Sequence, residues 1–488
     1  MTPKVLIISY LFPPIGGGGV QRALKMAKYL PQYGWEPHIL TVSEDVYFAS
    51  KDASLLKQLP ESAVIHRASQ INLYPRKQAP NSNNAQASAA PESNNIAPTQ
   101  ANKRLIQANK RVALLRRFLK GVKNRLLIPD DQILWYRNAV KVGFAAIQQH
   151  QIQAIFSTSG PNTNHLVAYK LHKMTNIPWI ADFRDPWTDN MHRSGIRWRE
   201  WLEARMEARV VTHADVITTV TESFLSGFMK KYGAAIRKGV VIHNGYDVED
   251  YRGIEQATEK NVVEKKIVDK QIEDGKTVDK QVMENRSTTV SGDSSDKMHF
   301  VYTGIFYEKR NPRLFLQAIR QLVDEGKIQR EQIAVHFAGI FDYPGQSANW
   351  QVVVELGLEN QVTLHGQLPH EQALRLLAQA DVQLLIADAD PSAGAYIPGK
   401  LFEYIAIGKP VLALSHLGES TDILQSLGNG AIANPTDIED IKRAVYQLYV
   451  HWRDTGQAIS LPDTLMEQTK KFQRQEQARM LAEELQLL

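Results

Sequence analysis

The chain has 488 residues, of which 43% are hydrophobic and 22% charged, and it contains no cysteine. That length supports about two to three domains, and the lack of cysteine excludes a disulfide framework and cysteine-ligated zinc. A formal net charge of +5 is too small for this size to imply a nucleic-acid partner, and no run approaches the roughly 18–20 apolar residues of a spanning helix.

The N-terminal "KVLIISY" is a continuous apolar run, as expected of a parallel strand buried on both faces rather than of a signal peptide. A Gly-rich loop (Gly16 to Gly19), a helical pattern ending at Gly34 and the strand "PHILTVS" follow. Strand, loop, helix and strand in that order predict a right-handed crossover in a doubly wound sheet. Residues 76–103 then lose their large apolar side chains and read as a disordered loop. Residues 104–127 read as a basic amphipathic helix; nine Lys/Arg fall between Lys103 and Arg125 with no acidic residue. Strand–helix alternation resumes to residue 251, stops over the charged, near-repetitive segment 252–297, and restarts at 298. The expected organisation is an N-terminal Rossmann-like domain (1–251), a low-complexity linker (252–297), a C-terminal Rossmann-like domain (298–460) and a terminal helix (461–488).

Several motifs could carry chemistry. In "FPPIGGGGVQR" the glycines let backbone N–H groups approach an anion at a helix start, which makes Gly17 and Gly18 candidate donor contacts. The spacing is not G-x-G-x-x-G, and no acidic residue closes the next strand, so a dinucleotide site is disfavoured. His165, Arg184 and Asp185 follow strand ends and are candidate catalytic residues. Arg184 can fork onto a carboxylate or phosphate, and Asp185 can act as a base or hold sugar hydroxyls. A structural Arg184–Asp185 pair and a helix-capping His165 remain the alternatives. Lys309 and Arg310, in a loop before a helix, suit a diphosphate, although a solvated basic loop has the same appearance.

The stretch "GAYIPGKLFEYIAIGKPVLAL" weighs most. Lys400 falls in the first turn of a helix, where the helix dipole disfavours a cation by about 0.3–1 kcal/mol unless an anion sits over that end. Glu403, one turn on, can accept two hydrogen bonds from a ribose diol; an ordinary Lys400–Glu403 salt bridge is the competing reading. Asp388-Ala389-Asp390 has the D-x-D spacing of divalent-metal sites. A helix end and a lysine can neutralise phosphate without a metal, so no metal ligand and no cofactor are expected.

Taken in order, "PPIGGGGVQR", "DFRDPW", "VTES", "VIHNGYD", "YTGIFYEKRNP", "HGQLPHEQ" and "PGKLFEYIAIGKPVLAL" resemble the GT-B glycosyltransferases, specifically the retaining family 4. The resemblance covers both halves apart from 77–103 and 252–297. It implies an α/β fold of two Rossmann-like domains facing a central cleft. It makes Glu403 the ribose carboxylate and Lys309 a diphosphate ligand, and it places the base near Gly366 to Leu368. The acceptor would meet the glycine loop, His165 and the Arg184–Asp185 region, and the terminal helix would cross back to the first domain. Two positions depart from the family pattern. Ala395 stands where a first glutamate is common, and Ile305 stands where an arginine often follows the strand glycine, a role open to Arg310 or Lys400.

The implied activity is metal-independent, retaining transfer of a sugar from a nucleoside-diphosphate donor to a glycan or lipid-linked acceptor, in envelope polysaccharide or glycolipid synthesis. The basic 104–127 segment suits an anionic membrane surface at about 1 kcal/mol per well-placed cation. The expected location is therefore cytoplasmic, peripheral on the inner face of the plasma membrane, with no nucleic acid bound. The alternatives are a GT-B nucleotide-sugar epimerase or hydrolase that needs no acceptor, and a non-catalytic GT-B scaffold.

Overall fold

The computed structural model describes residues 2–46, 51–71, 127–190, 194–251, 296–307, 309–343, 345–428, 430–455 and 467–488. The loop 76–103, the basic segment up to residue 126 and the insertion up to residue 295 lie outside them. The chain folds as two units: residues 1–218, 232–239 and 488 form the first, and residues 219–231 and 240–487 the second.

The first unit is built on a seven-stranded sheet in the order β3-β2-β1-β4-β5-β6-β7. The strands are β1 (Lys4–Ile8), β2 (Glu36–Val42), β3 (Val64–Ala68), β4 (Ala154–Thr158), β5 (Trp179–Phe183), β6 (Val216–Thr219) and β7 (Gly239–Val241). The pairs β1–β2, β2–β3, β1–β4 and β4–β5 are parallel. All five residues of β4 and of β5 are buried, which explains their mostly apolar or small composition, with Asp182 the charged exception. Strand order reverses between β1 and β4, so the loops leaving those two strands open at a topological switch point, where α/β sheets bind ligands. They are the glycine loop and the stretch Ser159–His165.

The second unit repeats the plan with six strands in the order β10-β9-β8-β11-β12-β13. These are β8 (Met298–Ile305), β9 (Ile333–Ile340), β10 (Val362–Gly366), β11 (Val382–Ile386), β12 (Val411–Leu414) and β13 (Gly430–Ala433). Its switch point lies between β8 and β11, so the loop bearing Lys309 and Arg310 and the loop bearing Asp388 to Ala395 emerge side by side; Ala389 N–H donates to the Lys309 carbonyl at 3.2 Å. The helix Arg313–Asp324 buries Phe315, Leu316, Ala318, Ile319 and Leu322 on one stripe, the spacing that makes it legible as a helix.

The unit boundary departs from a clean break at residue 251. The helix start after β6 belongs with the second unit, where Ser223 N–H donates to the Glu419 carboxylate at 2.6 Å and Phe224 packs edge-on against Tyr396. The terminal helix, Arg474–Gln486, is counted with the second unit, and so are residues 240–251, which the sequence assigns to the N-terminal domain. Backbone bonds from Tyr246 N–H to Phe472 O (3.0 Å) and from Arg474 N–H to Tyr246 O (2.8 Å) hold its approach there.

The first unit buries a charge at its centre. Arg22, on the helix Gln21–Tyr29, grips Asp182 of β5 with Nε to Oδ2 at 2.8 Å and Nη2 to Oδ1 at 2.7 Å. Thr158 of β4 and Thr218 of β6 donate to the same carboxylate at 2.6 and 2.7 Å. Burial by itself would raise the Asp182 carboxyl, but Arg22 and these hydrogen bonds outweigh it and hold the group below its ordinary range. Removing one partner of such a pair strands the other charge and costs about 3–5 kcal/mol. Arg22→Met should therefore lower the urea midpoint of the first unit's unfolding, read by tryptophan fluorescence, with no change in the second unit. An unchanged first transition would show that the pair is not a structural anchor.

Candidate active site

The sequence puts most donor-side candidates on the second unit's switch point, and the structure shows how they meet. The helix Gly399–Ile407 starts after Pro398, which is extended and offers no side-chain cap. Leu401 N–H donates to the Pro398 carbonyl at 2.9 Å, and no side chain caps the N–H groups before it. Lys400, in that first turn, does not pair with Glu403. Its ammonium donates to the Thr303 carbonyl at the end of β8 and sits 3.9 Å from the Tyr302 ring centre. Burial, reinforced by the nearby Arg310 charge and only partly opposed by Glu403, brings the Lys400 pKa down to about 7.

Gly304 explains how the lysine fits. Its φ is +136°, and a Cβ there would lie 2.4 Å from Lys400 Nζ. Only glycine both adopts that backbone and leaves room for the ammonium. Arg310 closes the same loop. Arg310 and Tyr307 exchange backbone hydrogen bonds at 2.7 and 2.9 Å, and the guanidinium lies 4.9 Å from the Tyr307 ring centre. The Arg310 charge also opposes the burial that raises the Tyr302 phenol, and the Arg310 Nε is buried without a hydrogen-bond partner. Two cations thus gather at one tyrosine beside an uncapped helix start.

Glu403 is half-buried and lies 3.1 Å from His370 Nε2, at the start of the helix His370–Ala378. It also helps burial push the Tyr251 phenol up, so that hydroxyl stays protonated. Gly366 ends β10 at a bulge with φ +64°, four residues before His370. Lys309 is exposed and meets Asp390 at 3.3 Å. The D-x-D carboxylates serve the loop itself. Asp388 accepts Asp390 N–H at 2.9 Å, and Asp390 caps the turn Pro391–Ala395 through Ser392 N–H at 3.1 Å. Hydrogen bonds from Ser392, then Lys309, hold Asp390 below the usual carboxylate range. Ala395 ends this turn. The neighbouring Gly394 is pressed against Gly418, and a Cβ on either would fall 2.2–2.4 Å from a carbonyl oxygen of the opposing loop.

In the first unit, Gly17 (φ +97°) and Gly18 are exposed, and a Cβ on either would meet nothing within 4 Å. Arg184 binds backbone rather than standing free. It donates to the carbonyls of Ser159 (2.6 Å), Gly19 (2.8 Å) and Gly160 (3.0 Å), tying the two switch-point loops together. Asp185 is exposed beside it. His165 is fully buried; its Nδ1 meets Ser157 Oγ at 2.8 Å, and its Nε2 has no hydrogen-bond partner. Burial, aided by Arg184, brings its pKa down to about 3, so the ring is neutral.

Sequence reasoning misses a cavity of about 400 Å³ in this unit, whose lining includes Leu127, Asp130, Asn162, Asn190, Arg199 and Glu200. Asp130 receives Thr163 N–H (3.0 Å) and Oγ1 (2.6 Å), and buried Glu207 receives Thr188 N–H (2.8 Å), which fixes two sides of the wall. These carboxylates lie in a short turn and inside a helix, and neither forms a recognisable motif.

A family model described as "Glycosyl transferases group 1" matches residues 297–451, and one described as "Glycosyl transferase 4-like domain" matches residues 17–245. Comparison with curated proteins gives no match. Among solved structures the chain is similar to HepE from Anabaena, in complex with UDP (13% identity, 100% of both chains, TM-score 0.60). It is also similar to sucrose-phosphate synthase from Thermosynechococcus elongatus (14% identity, 99% of this chain and 98% of the other, TM-score 0.59). A glycosyltransferase from Rickettsia africae matches at 14% identity over 99% and 97% of the chains, with TM-score 0.57. At these identities the likeness establishes the fold.

Lys400 makes a signed prediction. Its folded pKa of about 7 lies below the unfolded 10.5. Between those values the unfolded chain holds the extra proton, so stability rises with pH from about 7 towards 10. The penalty is fully present below pH 7. Lys400→Met should raise the thermal midpoint of the second unit at pH 7 and flatten its rise towards pH 9, in scanning calorimetry across that range. Parallel profiles for wild type and variant would mean that Lys400 is charged and solvated in the native protein.

Proposed function

The chain belongs to the group 1 and family 4-like glycosyltransferases of GT-B fold, and on that premise we propose that it moves a sugar, with retention, from a nucleoside-diphosphate donor to a lipid-linked glycan acceptor. The observation that carries the donor half is the meeting of Lys400 and Arg310 at Tyr302, beside the uncapped start of the helix Gly399–Ile407. As the glycosidic bond breaks, the leaving diphosphate gains charge, and preorganised cations and helix N–H groups stabilise it without a metal. A Lys400 poised near neutrality becomes fully protonated when the diphosphate arrives. Glu403, held by His370, accepts from the ribose hydroxyls.

Three observations support the acceptor half. The cavity of the first unit is lined by carboxylates and amides suited to sugar hydroxyls. Leu127, the last residue of the stretch read as basic in the sequence, lines it. The helix Arg197–His213 supplies Arg199 and Glu200 to the cavity and exposes Trp198 (51%) and Trp201 (60%), the residue type favoured at lipid interfaces. Among the described residues no helix is long and apolar enough to cross a membrane. The proposed location is therefore peripheral, on the inner face of the plasma membrane.

The test is a panel of nucleotide sugars assayed for nucleoside-diphosphate release, with and without membrane lipid extract. Release should require lipid. Glu403→Ala should raise the donor KM roughly 10- to 100-fold, since hydrogen bonds to a charged group contribute about 1.5–3 kcal/mol. Asn190→Ala and Glu200→Ala should raise the acceptor KM and leave donor affinity unchanged. Sugar interconversion or hydrolysis without acceptor would replace this reading by an epimerase or hydrolase. Failure to bind any donor would leave a scaffold.

A further inference from the structure

Two groups of three histidines occur in the fold, and their geometries differ. In the second unit His299, His336 and His365 sit on the adjacent strands β8, β9 and β10. Register pairs His299 with Ala334 and His336 with Thr363, so each next histidine lies two residues further along its strand. The rings pass hydrogen bonds down a line, Nδ1 to Nε2 at 3.0 Å and then at 3.1 Å. This ladder satisfies its inner nitrogens by itself and does not converge on a point.

The first unit repeats one step of that ladder. His38 on β2 is in register with Val64, two residues before His66 on β3, and their Nδ1 and Nε2 lie 3.0 Å apart. The third ring breaks the line. His150, the last residue of the helix Tyr136–His150, lies against both others with centroid distances of 4.7 and 5.2 Å. One ring nitrogen from each histidine falls within 4.8 Å of the other two. His38 is fully buried, and its Nε2 makes no hydrogen bond of proper geometry; the Glu36 carboxylate stands 3.4 Å away. His66 and His150 are half-buried, which leaves an entry from solvent.

We propose that His38, His66 and His150 bind one divalent transition-metal ion of the zinc class. Imidazole is the ligand such ions take in three-histidine sites, with a metal–nitrogen distance near 2.0–2.1 Å. Tetrahedral nitrogens then stand about 3.3 Å apart, so His38 and His66 are already near that spacing and the remaining adjustment is on the order of 1 Å. A water molecule completes the shell. The site lies at the end of the sheet where that helix terminates and β2 begins, away from the loops leaving β1, β4 and β5. Its role is therefore structural. β3 is the sheet edge, and the chain leaves it towards the basic stretch and returns into the helix that ends at His150. The ion would clasp both ends of that excursion.

The test uses untagged full-length protein, stripped with a chelator and titrated with zinc chloride in a calorimeter. One equivalent should bind, and the thermal midpoint of the first unit should rise with zinc. His66→Gln and His150→Gln should each weaken binding by roughly 100-fold or more, while His365→Gln, in the ladder, should leave it unchanged. His150, at a helix end, is the substitution least able to disturb folding, and circular dichroism checks each variant. X-ray absorption of the zinc-loaded wild type should show three imidazole nitrogens at about 2.0 Å. No stoichiometric binding, binding that survives His150→Gln, or fewer than three imidazoles in the absorption spectrum would each overturn the proposal. The outcome is independent of any transferase assay.

Discussion

The first unit depends on one buried carboxylate. Asp182 is tolerable at the centre of the sheet only because a helix, and the strands on either side, each send it a hydrogen-bond donor. That requirement fixes the helix after the glycine loop against β5, and with it the position from which the loop opens. Arg184, two residues on, carries the same logic to the surface by holding three carbonyls of the two switch-point loops. The loops of this unit are thus set by a ladder of arginine contacts running out from the core.

Lys400 presents the opposite case. It is a buried cation held by a carbonyl dipole and an aromatic face, with burial and a second cation working against its charge. A fully compensated charge such as Asp182 anchors structure; an incompletely compensated one is available to a ligand of opposite sign. The two units therefore use similar sheets with different electrostatics at the strand ends.

The fold is largely legible in the sequence because both sheets are parallel and their central strands are buried. These central strands appear as largely apolar runs, and glycine, proline and amphipathic helices mark the intervals. The separate fates of Lys400 and Glu403 are not legible. Both lie on one helix turn, so spacing alone suggests a salt bridge, whereas the lysine turns under Gly304 and the glutamate meets His370. Arg184 looks free because sequence gives no measure of which carbonyls surround a guanidinium. Asp130 and Glu207 are invisible for the same reason, since their partners are backbone N–H groups and hydroxyls that no motif encodes.

The contact between Gly304 and Lys400 reaches further than the site. Ninety-six residues apart in the chain, the two occupy one volume: the space a side chain would take at 304 already holds the ammonium. A side chain at 304 would displace the lysine end and would also be strained by the φ of +136°. An arginine beginning near 304 becomes accessible only after the lysine has shortened, and a shortened lysine leaves a hole until something fills it. Searches of donor specificity that vary 304 and 400 together therefore sample combinations that changes at either position alone do not.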